Sequence, residues 1–155
     1  MKKKSRYLLA LLMCVLLTGC NNDFAKKEYN DMDKIAKTED RYAKEKSVFN
    51  PIDGGYSLVV EKFDGRETLW TKKLEEDKDI EIKIKLSLSD GTVKVVHIDD
   101  EGVVTTIIEY TGEQSTDGYI TKTVSLKKGL NRVKIIGYGC RDIDLEIIGE
   151  DIGEE

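Results

Sequence analysis

The sequence holds one histidine, one proline and one tryptophan in 155 residues, and aromatic side chains make up only 7% of it. His97 has no second histidine and no cysteine pair at ligand spacing, which argues against a zinc site. No serine has a histidine at a recognisable catalytic spacing, and no glycine-rich loop leads into a helix to cradle phosphate. Asp99, Asp100 and Glu101 precede Gly102 without the spacing of an EF-hand loop, so they read as a solvated hairpin tip. Carboxylates are too numerous for one pair to stand out as general acid and base. No enzyme, cofactor or metal is expected. The net charge of −5 argues against a nucleic-acid partner.

The chain also lacks a long apolar run. Its best stretch, Leu8 to Leu17, has ten residues and follows Lys2, Lys3, Lys4 and Arg6. A bilayer crossing needs roughly 20 apolar residues, so this run fits a signal-peptide core. It ends at Leu17-Thr18-Gly19-Cys20, which resembles the lipobox of bacterial lipoproteins: a leucine, two small residues and the cysteine that receives a diacylglyceryl group before cleavage. The chain is also similar to the small lipoproteins of Gram-positive bacteria. The resemblance implies that residues 1–19 are removed and that Cys20 is lipidated. It places the mature protein on the extracytoplasmic face of the cell membrane, with the bilayer as its first partner. At roughly 0.8 kcal/mol per buried CH₂, two acyl chains anchor where one would release. Taking four basic residues from −5 leaves −9 for residues 20–155, so little but the lipid holds the chain to an anionic surface, apart from Lys26 and Lys27.

Cysteine is scarce in the mature chain. Cys14 leaves with the signal peptide and Cys20 carries lipid, so Cys140 has no intrachain partner and there is no disulfide framework. Cys140 reads as a small, partly buried residue near a strand end, with an intermolecular disulfide as the alternative.

Residues 21–49 contain neither glycine nor proline and are dense in charge, with Tyr29, Met32, Ile35, Ala36, Tyr42 and Ala43 recurring near helical spacing. This predicts one amphipathic helix within a lipid-anchored segment, residues 20–50. Its apolar stripe is thin, so it packs one face on the domain, pairs with another helix, or stands as a stalk of roughly 40 Å.

From Tyr56 onward the pattern is β. Ile80 to Leu88 alternates apolar and polar residues without error. Further strands are predicted at Tyr56–Phe63, Glu67–Leu74, Thr92–Asp99, Val103–Tyr110, Tyr119–Leu126, Leu130–Gly137 and Ile143–Ile148, making about eight. Turn chemistry at Asp64-Gly65, Asp90-Gly91, Glu101-Gly102 and Lys128-Gly129 separates them. The expected fold is mainly β, an antiparallel jelly-roll-like sandwich over residues 51–149, preceded by the helix and followed by a frayed acidic tail, 150–155.

Leu126, Gly129, Asn131, Val133, Ile135 and Asp144 form a pattern that resembles the closing strands of galactose-binding-like jelly rolls, found in carbohydrate-binding modules. That resemblance implies a sugar held by aromatic stacking with polar groups beside the ring. Trp70, Tyr56, Tyr110, Tyr119 and Tyr138 are the available aromatics. Tyr110 and Tyr119 flank the longest loop, Thr111 to Gly118, and Tyr138 stands between two glycines as if in a tight loop. Two functions fit: a structural or protein-interaction module of the cell envelope, preferred because it demands less, and a carbohydrate-binding module using those aromatics.

Overall fold

A computed structural model describes residues 23–150 and residue 152. The signal peptide, its apolar run and Cys20 lie outside the described residues. Among the described residues, no helix is long and apolar enough to cross a membrane. The elements are α1 (Asp23–Glu28), α2 (Met32–Ile35), β1 (Arg41–Ile52), β2 (Gly55–Leu74), β3 (Lys78–Leu88), β4 (Asp90–Ile98), β5 (Val104–Thr111), β6 (Gln114–Ser115), β7 (Ile120–Leu126) and β8 (Gly129–Gly149).

All strand pairs are antiparallel, and they build the two layers of a sandwich as expected. In the front layer β1 pairs with the first half of β2, which pairs with the last part of β8; β3 follows, with β7 and β6 along its far side. In the back layer the second half of β2 pairs with the first part of β8, then come β4 and β5. Thus β2 and β8 run through both layers, side by side. Alternating residues of β3, β4 and β8, among them Ile82, Ile84, Leu86, Val93, Val95, Val133, Ile135 and Leu145, fill the core between them.

Each long strand corresponds to two predicted ones. Asp64-Gly65 is a bulge inside β2, where the register shifts, and Gly137 to Asp142 is a bend inside β8. Gly65 pairs with Gly137 at this bend. Gly65 has φ 116°, and a Cβ there would lie 2.1 Å from the Arg41 carbonyl oxygen, so glycine serves the close approach of three strands. The same residue type that closes a hairpin here lets a continuous strand change layers.

The N-terminal prediction fails in its second half. Residues 41–49 are strand, and among the described residues two short helices precede them. β1 is an edge strand with exposure along most of its length, which erases the alternation that marks a half-buried strand. Lys46, at φ 48°, further interrupts its ladder opposite Glu61. Pairing with β2 therefore decides the conformation over local pattern. The helices do not form a stalk. Tyr29 and Ile35 pack with Val96, Ile98 and Ile136 on the outside of the back layer, making a second, smaller core.

Of the acidic tail, residues 151 and 153–155 lie outside the described residues, and Ile152 departs from the expected fraying. Ile152 is 1% exposed and joins the main core, and its N–H bonds the Gly149 carbonyl at 3.0 Å.

Candidate functional site

On the outer face of the front layer, Glu146 of β8 alternates with the buried Leu145 and Ile147, and Lys85 of β3 alternates with Ile84 and Leu86. The two strands pair in register at Lys85 and Glu146, which brings Lys85 Nζ to 3.0 Å from Glu146 Oε1. Tyr119, just before β7, donates its hydroxyl to Glu146 Oε2. These bonds fix the charges. The Tyr119 and Lys85 bonds hold the Glu146 carboxyl below its usual range, Glu146 keeps Lys85 protonated to higher pH than usual, and the same carboxylate pushes the Tyr119 phenol up. At neutral pH the cluster therefore offers a carboxylate acceptor, an ammonium donor and a flat ring, with Tyr119 44% exposed.

The other aromatics lie elsewhere. Trp70 is 6% exposed and packs in the main core, so its ring face is not presented to solvent. Tyr110 is half-buried against that core from β5. Tyr56 stacks on Phe49 at 5.2 Å, beside an apolar cleft with Trp70 and Ile152 that has room for about one water. Tyr138 lies within β8, not on a loop; its ring meets Tyr29 edge-on at 5.1 Å on the back layer. The five aromatics are not brought together, and Tyr119 is the exposed one among them.

His97 is buried, with Nε2 2.8 Å from Asn131 Oδ1. Asn131 also accepts from the Lys127 N–H at 2.9 Å and donates to the Lys127 and Gly129 carbonyls. The asparagine of the jelly-roll-like pattern is thus the clasp of the β7–β8 hairpin. Cys140 lies fully buried, its thiol 3.1 Å from the Thr92 carbonyl oxygen, and burial pushes the thiol up to about 12. It is inert at neutral pH. Asp99 Oδ1 accepts from the N–H groups of Glu101 and Val103, and Asp100 Oδ1 from that of Leu130, as a hairpin tip does. No group of metal-ligating side chains gathers among the described residues.

The back layer holds charged residues that sequence reasoning missed. Arg66, Lys94, Arg132 and Lys134 are buried on its outer face. The N-terminal segment supplies their partners: Glu28 for Arg66, Asn30 and the Tyr29 ring for Lys94, the Ala36 carbonyl for Arg132, and the Lys37 carbonyl with Asp40 for Lys134. Alternation in β4 and β8 marks these positions as facing away from the core. It carries no sign that residues 23–40 cover them.

No protein-family model and no curated protein sequence matches the chain. Among solved structures it is similar to a variant of the family 29 carbohydrate-binding module CBM29-2, at 11% identity over 71% of each chain with a TM-score of 0.41. It is also similar to a carbohydrate-binding module from Cellvibrio mixtus lichenase 5A in complex with cellotriose, at 11% identity over 70% of this chain and 88% of that one, TM-score 0.40. A third is a family 35 module from Paenibacillus barcinonensis, at 13% identity over 70% and 91%, TM-score 0.39. What each of these binds is a property of that protein.

Proposed function

We propose that the protein is a non-enzymatic carbohydrate-binding module, held by lipid on Cys20 at the extracytoplasmic face of a membrane. The observation that carries the binding reading is the cluster of Tyr119, Glu146 and Lys85 on the open face of the front layer. A pyranose presents an apolar face that packs on a flat ring and hydroxyls that both give and take hydrogen bonds. The exposed Tyr119 ring suits the first need. Glu146 accepts and Lys85 donates, which suits the second. The protein-interaction reading was preferred because it demands less, and the helical segment offers such a partner little apolar surface, because Ala25, Tyr29 and Ile35 are buried.

The test is titration of purified cell-wall polysaccharide fragments and a glycan array against wild type and Tyr119→Ala. A saccharide that binds wild type and loses at least about tenfold in affinity with Tyr119→Ala, about 1.4 kcal/mol, is expected. Absence of any saccharide binding to wild type, or equal binding by both proteins, overturns the reading. Labelling cells with a lipid precursor checks the anchor: wild type takes up label and Cys20→Ala does not.

A further inference from the structure

We infer that the surface around α1 is the membrane-facing side of the domain, its partner the headgroup layer of the bilayer that holds the lipid, so that the Tyr119 face is turned away from that bilayer. The inference rests on lipidation of Cys20. Only Asn21 and Asn22 stand between Cys20 and the start of α1 at Asp23. Three residue steps span at most about 11 Å even when fully extended. A free helical stalk after Cys20 would relax this constraint, but the chain from α1 onward is fastened to the domain. Ala25, Tyr29 and Ile35 are buried. Glu28 bridges Arg41 and Arg66, and Arg132 and Lys134 grip the Ala36 and Lys37 carbonyls at 2.8 and 2.7 Å. Lifting this segment would break these bonds and expose the apolar cluster of Tyr29, Ile35, Val96, Ile98 and Ile136 to water.

A diacylglyceryl group seats its cysteine at headgroup depth, and the short tether then brings α1 to the same surface. The outward side chains there suit it. Lys26 and Lys27 are exposed, and Met32 of α2 is 48% exposed. Ammonium groups pair with lipid phosphates, and a flexible thioether tolerates the acyl boundary. Acidic and basic residues nearly balance over residues 23–41, so the tether length, more than charge, sets the orientation. The helical segment covers the outside of the back layer, and stacked sheets pack about 10 Å apart. Tyr119, Glu146 and Lys85 therefore lie on the far side of both layers, where a glycan outside the bilayer can reach them.

Full-length protein carrying its lipid is extracted from membranes and reconstituted into vesicles of phosphatidylglycerol and phosphatidylcholine. A fluorophore is placed at Lys27→Cys or, in a separate sample, at Lys83→Cys, an exposed position on the outer face of the front layer. The buried Cys140 thiol does not compete for the label. A quencher attached to the lipid headgroups should quench the fluorophore at position 27 at least fivefold more than at position 83. Mass spectrometry of the same sample shows whether Cys20 carries lipid. Lipid on Cys20 with equal quenching at both positions overturns the orientation and leaves the anchor standing. Absence of lipid on Cys20 overturns both.

Discussion

At the scale of single residues, the side chain with most at stake in the hairpin chemistry is Asn131. It is fully buried, yet its amide makes four contacts: Oδ1 with the Lys127 N–H and His97 Nε2, and Nδ2 with the Lys127 and Gly129 carbonyls. Because Oδ1 accepts, the His97 proton on this side sits on Nε2. Asn131→Ala removes all four contacts and leaves the buried His97 imidazole and the part-buried turn backbone at Lys127 and Gly129 without this partner. At about 1 kcal/mol per lost bond, the four contacts set an expected destabilisation of about 4 kcal/mol, read from the urea midpoint. A loss below about 1 kcal/mol would contradict this role. The residue was legible in the sequence as part of a Gly-turn-Asn pattern; its clasping of His97 was not, because the two are 34 positions apart and only the pairing of β4 with β8 joins them. The same holds for the candidate site. Tyr119 could be named from its place beside a loop, whereas Glu146 and Lys85 were two among many charges until strand register put them opposite each other.

At the scale of elements, the N-terminal segment is held by Asp40 as much as by its apolar side chains. Asp40 Oδ1 takes Lys134 Nζ at 3.0 Å and the Thr68 hydroxyl at 2.8 Å, and Oδ2 takes the Thr68 N–H at 2.9 Å. Burial alone would push this carboxyl up. The Thr68 N–H, Lys134 and the Thr68 hydroxyl outweigh it, and the carboxyl is held below its usual range. A depressed carboxyl adds stability that is fully present above the unfolded value near about 4 and is lost as pH falls through the lower folded value. Asp40→Asn is therefore expected to lower the melting temperature at pH 7 and to lose less than wild type on acidification, so that the two curves converge below about pH 4. A gap of constant size from pH 7 to pH 2.5 would show that the charge of Asp40 contributes nothing. The layout of this segment was only partly legible. The helical spacing of Tyr29 and Ile35 left open whether that face packs on the domain, pairs with another helix or stands as a stalk, and the structure packs it on the domain; β1 is an edge strand, and an edge exposed on both sides has no period for a reader to find. Strands with one face in the core, above all β3, were legible almost to the residue.

At the scale of the whole molecule, the fusion of predicted strands into β2 and β8 changes how the domain should unfold. Had Tyr56–Phe63 and Glu67–Leu74 been separate strands, each layer could open by itself. Instead β2 and β8 stay paired from Gly55 with Ile148 to Leu74 with Gly129, and both layers hang on that ladder. The partners lie far apart in sequence, so the closing entropy is offset only when the layers form together. One cooperative transition is expected. Trp70 is the natural probe, because it is the only tryptophan and is buried in the main core where β2 runs in the back layer. Far-ultraviolet circular dichroism reports the strands of both layers. The two signals should trace the same urea curve, with one midpoint and one slope. A tryptophan transition that precedes the loss of strand signal would mean that the back layer opens first, and that the bend at Gly65 and Gly137 acts as a hinge between units instead of a join within one.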